Sequence, residues 1–156
     1  MEPSKEVHAE KLTEYVTVMI GDQLFGLSIA RVQDVFRPER MTRIPLASAE
    51  IAGVLNLRGR IVTAVDLHCR LGLPLRENDQ QPMAIGIEHK GESYGLLIDS
   101  VGEVMKLDHD TFEPNPVNLD PRLSRMATGV YRLEGQLLVI LDVDRVLDMG
   151  NGAMAA

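Results

Sequence analysis

The sequence predicts an all-β protein made of two small antiparallel barrels, and three observations carry that prediction. The chain repeats itself: Phe25 to Val35 returns as Tyr94 to Val104, with the Gly, Leu, Ile and both Val positions identical. A second block follows in each half. Gly53 to Gly59, an apolar run and Asp66 are answered by Gly129 to Gly135, another apolar run and Asp142. Apolar stretches are short and bounded by Gly, Asp and Asn, giving about five turn-linked strands per half. Aromatic residues are scarce and Trp is absent, so the core must be Val, Ile and Leu. Two copies are too few for a solenoid, and each half is near the lower size limit for an independent core. One small unit is therefore used twice and packed against itself. The expected organisation is a single domain over 14–149, with copies near 15–74 and 84–147, a loose lead-in over 1–13 and a tail over 150–156.

Each element has a local reason. Val16, Val18 and Ile20 alternate with Tyr15, Thr17 and Met19, which is strand spacing. Gly21-Asp22-Gln23 turns the chain into Leu24 to Leu27, making a hairpin. Ser28 can cap one helical turn that sets Ile29 and Val32 on the same side, before a strand through Val35 and Phe36. Ala52 to Leu57 and Ile61 to Val65 flank a tight Arg58-Gly59-Arg60 turn. The second of these strands is apolar at nearly every residue, the pattern of a strand covered on both faces. Asp66 then caps a helix from Leu67 to Leu71, stopped by Gly72 and Pro74. The second half repeats the plan with strands at Ala84 to Ile87, Tyr94 to Ile98, Val101 to Met105, Val130 to Leu133 and Leu137 to Leu141. A closing helix runs from Asp142 to Met149. Extra residues between Met105 and Thr128, rich in Asp, Asn and Pro, read as a lengthened loop.

Bulk properties narrow the function classes. A net charge of -7 opposes attraction to nucleic acid or anionic lipid, and base-stacking aromatics are missing. No apolar stretch approaches a membrane span, and the polar start does not resemble a signal peptide. The single Cys69 excludes an internal disulfide, consistent with a reducing cytoplasm.

Catalytic candidates are thin. Asp66, His68 and Cys69 offer three metal-ligand types, but a helical turn points them apart and no second ligand pair follows. Asp66 as a cap with His68 and Cys69 as ordinary helix residues is the favoured reading; a small metal-dependent enzyme is the rival. His89 and His109 read as solvated loop histidines. Asp34 and Glu103 match across the repeat without forming an acid/base pair. Phosphate loops, nucleophile elbows and zinc-type Cys pairs are missing, so neither an enzyme nor a cofactor is expected. Arg58 stands out, because the equivalent position in the second copy is Glu134. It either pins a loop by pairing with a carboxylate such as Asp34 or Glu50, or presents its planar head to a partner. Ile29 and Val32 are either core residues or an apolar seat for a partner helix.

Three stretches carry a resemblance: Met41 to Pro45, Ile51 to Val62, and Val65-Asp66-Leu67. With Phe25-Gly26-Leu27, Val32 to Val35 and Leu96 to Val104, the chain from about Tyr15 to Leu147 resembles the bacterial chemotaxis coupling family, CheW, in its stand-alone form. The resemblance implies two SH3-like five-stranded barrels around a shared apolar core. It further implies a non-catalytic cytoplasmic adaptor, held at the inner membrane face through receptor arrays without inserting into lipid. Its implied partners are the chemoreceptor's cytoplasmic helical tip and the regulatory domain of the chemotaxis histidine kinase CheA. A non-flagellar pathway, serving pili or development, is the alternative. By position, the implied receptor groove includes Ile29, Val32, Asp34, Gly53, Arg58 and Val104, with Gly53 allowing close backbone approach. The chain departs from the family where Asp34 replaces the usual Glu, Ser48 and Thr63 replace Pro, and His68 replaces a long residue. Asp108 to Arg125 follows the family poorly, so no kinase-contact residues are assigned.

Overall fold

The computed structural model describes residues 11–75 and 81–149. In chain order the elements are β1 (Leu12–Ile20), β2 (Gln23–Ser28), a 3-10 turn (Ile29–Arg31), β3 (Asp34–Phe36), β4 (Ile51–Leu57), β5 (Arg60–Asp66) and α1 (Leu67–Arg70). The second half adds β6 (Met83–His89), β7 (Glu92–Ile98), β8 (Ser100–Asp108), a 3-10 turn (His109–Thr111), β9 (Phe112–Glu113), α2 (Pro121–Met126), β10 (Ala127–Leu133), β11 (Gln136–Leu141) and α3 (Val143–Leu147). The fold is mostly β, as the sequence predicts. Two boundaries move. The strand expected from Tyr15 begins at Leu12, because Leu12 and Thr13 pair with Asp108 and Leu107. Most of the expected lead-in and the tail after Met149 fall outside the described residues.

The strands form two sheets, ordered β8-β1-β2-β11-β10-β9 and β3-β6-β7-β5-β4. This corrects the expectation of one barrel per sequence copy. The copies exchange hairpins: β1–β2 of the first joins β10–β11 of the second, and β6–β7 of the second joins β4–β5 of the first. The joins are parallel, so neither sheet is purely antiparallel. A hairpin delivered from the other copy needs no tight turn at the join, which frees it to pair in the parallel sense. The two joins also share a register. Phe25 pairs with Val139 and Gly26 with Ile140; their repeat equivalents pair as Tyr94 with Thr63 and Gly95 with Ala64. The repeat is thus present in three dimensions.

Packing follows from this exchange. On β11, Leu138 and Ile140 enter a small cluster with Tyr15 and Tyr131, while Val139 and Leu141 face the main core. On β5, Val62 and Ala64 enter a second small cluster and Val65 faces the main core. Burial on both faces explains the continuous apolar runs. The main core draws Val16, Val18 and Phe25 from one sheet and Ile85, Leu96 and Ile98 from the other. It is closed by Leu67 and Leu71 at α1, Leu123 and Met126 of α2, and Val143, Val146 and Leu147 of α3. At about 1.5–3 kcal/mol per buried aliphatic side chain, this shared core binds the two sheets into one folding unit.

The helix starts are set by carboxylates. Asp66 accepts the His68 N–H at 3.0 Å, and Asp142 accepts the Asp144 N–H at 3.0 Å. Ser28 precedes its 3-10 turn without a side-chain cap bond, so the expected Ser cap is not formed. Val32 lies just beyond that turn and is half-buried against the core. The lengthened connection is no plain loop either: it holds the end of β8, β9 and α2, with Asp120 capping α2 and Pro121 at its first position.

Candidate functional site

Arg58 and Gly59 form the tip of the β4–β5 hairpin, both with positive φ (55° and 83°). That geometry matches the twist of two-residue hairpins, and the Asn56 side chain secures it by accepting the Gly59 N–H at 2.9 Å. The turn throws Arg58 back toward β3, where Nη1 lies 3.3 Å from Asp34 Oδ2. Asp34 is held in place because its other oxygen accepts the Val35 N–H at 2.8 Å. Glu50, the other carboxylate considered for Arg58, is instead bound by Arg70 at 3.2 Å and Arg122 at 3.0 Å. Between Asp34 and Arg58 opens a cavity of about 480 Å³. Phe36, Leu57 and Tyr94 line it, with Arg60 and Glu88 adding charge.

The six groove residues do not all meet there. Ile29 is 40% and Val104 46% exposed, so each presents apolar surface to solvent. The register row Met105–Tyr15–Ser28 places them one residue to either side of the same line, two strand spacings or about 10 Å apart. They occupy one corner of the six-stranded sheet, while Asp34 and Arg58 belong to the five-stranded one. Gly53 is buried, and the backbone approaching it is the chain's own. A Cβ at Gly53 would stand 2.4 Å from the Thr42 carbonyl oxygen, and Thr42 bridges to Val54. Its repeat partner Gly129 is used the same way, with the Glu113 carbonyl 2.5 Å from a Cβ there. The surface also includes Val35, 39% exposed, which lay within the repeat block but carried no separate signal.

The metal-site rival loses its ligands to other duties. Asp66 is the helix cap. His68 is 3% exposed and no ordinary helix residue: Nε2 lies 2.8 Å from Asp99 Oδ1 and Nδ1 lies 2.5 Å from the Pro74 carbonyl. Asp99 also accepts the Gly21 N–H at 2.7 Å, so the imidazole ties α1 to the β1–β2 turn. Burial, then the Asp66 and Glu50 carboxylates, push the Cys69 thiol above its ordinary range, away from the thiolate a metal needs. Among the described residues no group of three His, Cys, Asp or Glu side chains is arranged to hold a metal.

His89 is a second correction. It ends β6, is 9% exposed, and sets Nδ1 3.1 Å from Asp144 Oδ1 with its ring against the Tyr94 edge. Asp144 also takes Arg31 at 2.9 Å, and that contact first, with His89 adding to it, holds its carboxyl below the usual range. His109 is exposed in its 3-10 turn and bonds to Thr13.

Comparison with known proteins agrees with this architecture. Residues 14–150 match the CheW-like domain family. Chemotaxis protein CheW of Rhizobium meliloti (strain 1021) is 29% identical over 133 residues, covering 85% of this chain and 86% of that protein. Protein PilI of Pseudomonas aeruginosa is also 29% identical, over 120 residues that cover 77% of this chain and 67% of that one. The crystal structure of scaffolding protein TtCheW from Thermoanaerobacter tengcongensis superposes with a TM-score of 0.79 at 28% identity, covering 90% of this chain and 94% of that one. By fold and sequence, this chain belongs to the CheW-like domain family of chemotaxis coupling adaptors.

Proposed function

We propose that the protein is a non-catalytic adaptor joining the cytoplasmic helical tip of chemoreceptors to the regulatory domain of the chemotaxis histidine kinase CheA, so that receptor state controls kinase autophosphorylation. The observation that carries the reading is the Asp34–Arg58 ion pair at the mouth of an open cavity. Such a site offers charge and apolar area to a polypeptide. The groups that could have done chemistry instead cap helices or fill buried hydrogen bonds. An adaptor needs only unequal affinity for two receptor states, which contacts of this kind supply. Individually weak contacts suffice where an array raises local concentration. Ile29, Val32 and Val104 provide the apolar part of the receptor surface, and Arg58 its ionic edge. Gly53 contributes by seating the Thr42 segment behind that surface.

Among the described residues no helix is long and apolar enough to cross a membrane. The reading places the protein in the cytoplasm, held at the inner membrane face by its receptors. A second pathway for the same activity, a non-flagellar chemosensory system, is the alternative reading; the match to Protein PilI equals the Rhizobium meliloti protein in identity but covers less of both chains. Reconstitution with receptor-bearing membranes and the cognate kinase tests the proposal: receptor control of autophosphorylation must depend on adding this protein. Unchanged control would end it. Receptors and kinases of both pathway types, run side by side, identify which system responds.

A further inference from the structure

A second charged cavity, of about 440 Å³, opens where the three helices meet and is lined by Arg70, Arg122, Arg125, Met126, Arg145 and Asp148. Four guanidinium groups on one surface are notable in a chain of net charge -7. They do not play equal parts. Arg70 is structural: it donates to the Val146, Arg145 and Asp148 carbonyls at 2.7, 3.1 and 3.0 Å and to Glu50 at 3.2 Å. Arg122 donates Nε to the Arg70 carbonyl at 3.1 Å and Nη2 to Glu50 at 3.0 Å, while Nη1 makes no hydrogen bond among the described residues. Arg145 is held loosely, with Asp142 at 3.5 Å and the Ala127 carbonyl at 3.4 Å. Arg125 has no hydrogen bond or ion pair among the described residues.

Arg122 and Arg125 are three residues apart on α2 and so share a helix face, where like charges repel. Arg122 is fixed by Glu50; for Arg125 the described residues supply no such counter-charge. The cavity is lined by four guanidinium groups and one carboxylate, Asp148, while Glu50 and Asp142 pair with Arg70, Arg122 and Arg145. A carboxylate is the group these guanidinium groups already hold, since Arg70 and Arg122 each donate to the same oxygen of Glu50. The cavity is open and wide, suited to a side chain carried on a polypeptide. We propose that this cleft is a docking point for a Glu or Asp side chain of a partner polypeptide, received by Arg125 with Arg122 Nη1 and Arg145 beside it.

The test uses the full chain and a blocked, fluorescently labelled peptide of alternating Glu and Gly, with a Gln-for-Glu peptide as control. Anisotropy should show saturable binding of the Glu peptide alone, weakening with salt as an exposed ionic contact must. In NMR spectra the Arg125 Nε–Hε signal should move on titration. Because Arg125 makes no described contact, Arg125→Ala should keep the wild-type thermal melt yet weaken binding about tenfold, the scale of a lost charge-assisted hydrogen bond. Arg132→Ala, which breaks the exposed pair with Glu113 on β10, should bind as wild type does. Equal binding by Arg125→Ala, binding of the Gln peptide, or no saturable binding would overturn the site. Displacement of the peptide by acetate at matched carboxylate concentration would overturn the polypeptide as its occupant.

Discussion

Replacing Arg58 separates its two possible roles, and the structure sets the size of each. The guanidinium lies 3.3 Å from Asp34, but the Arg58 side chain is 79% exposed and Asp34 is 30% exposed. In a water-like medium two charges at that distance attract by about 1 kcal/mol, and exposed pairs contribute about 0.2–1 kcal/mol in practice. Arg58→Ala should therefore cost no more than about 1 kcal/mol, or about 2–4 °C in Tm for a domain of this size. Arg58→Gly is the sharper variant. The residue sits at φ 55°, where a side chain costs about 1–2 kcal/mol and glycine recovers much of that against an entropy loss of about 0.5–1 kcal/mol. Its stability should stay close to wild type even without the ion pair. Urea unfolding measures both, read as midpoint shifts at constant slope. Both variants should lose receptor control of the kinase in reconstituted membranes while remaining folded. A loss above about 2 kcal/mol in either would show that the pair is structural. Full coupling by both would remove Arg58 from the working surface.

Further predictions follow from the packing. Gly53→Ala forces a Cβ onto the Thr42 backbone carbonyl and should destabilise the chain by about 1–3 kcal/mol, measured by urea unfolding; a neutral result would refute the observed close approach. His68→Leu breaks the imidazole contacts with the Pro74 carbonyl and the Asp99 carboxylate, at about 1–3 kcal/mol, and calorimetry should show it. The folded-state carboxyl of Asp144 titrates below its unfolded value, so its stabilisation is present above the ordinary carboxylate range and is lost as pH falls through the lowered one. Asp144→Asn should accordingly flatten the acid limb of the stability profile; an unchanged limb would contradict the Arg31 and His89 contacts. Cutting the chain within 76–80 should give two fragments without cooperative melts alone that regain one when mixed, since each sheet takes strands from both.

What the sequence made legible was local, or was stated twice. The repeat was visible because two blocks recur in order. The apolar runs at β5 and β11 announced burial on both faces, and Asp66 and Asp142 marked their helices as caps. Hairpin exchange had no such trace. The β2–β11 pairing joins Phe25 to Val139, and no turn residue records a contact across so much chain. His68 looked like a helix residue because its partner Asp99 lies 31 positions away. His89 was misread for the same reason, since Asp144 stands 55 positions distant. The helix α2 was different: Asp120-Pro121 carried a start signal, a cap residue followed by a first-position proline, inside a stretch read as loop. In the candidate site, Asp34 with Arg58 was foreseen as one of two pairings. The close approach of the Thr42 segment to Gly53 had no signal in the sequence.

The exchange also sets the frame for comparing the two sheets at equivalent positions. Val35 and Val104 are repeat equivalents, each on the short or edge strand beside a borrowed hairpin, and their exposures are similar at 39% and 46%. So far the two units are alike. The ionic positions are not: Asp34 and Arg58 attract, whereas their equivalents Glu103 and Glu134 are both acidic and both exposed. The same backbone thus offers a paired, orienting charge at one sheet and two carboxylates at the equivalent positions of the other. Shared geometry accounts for a stable core that needs both halves, and it cannot by itself distinguish two partners. The substitution of Arg58 for a carboxylate can, because it changes the sign of the charge at a hairpin tip without altering any buried contact. A Glu134→Arg variant should then acquire an ion pair with Glu103, detectable as a favourable coupling energy in a double-mutant cycle with Glu103→Gln. A coupling energy indistinguishable from zero would mean that the two units had diverged in backbone as well as in charge.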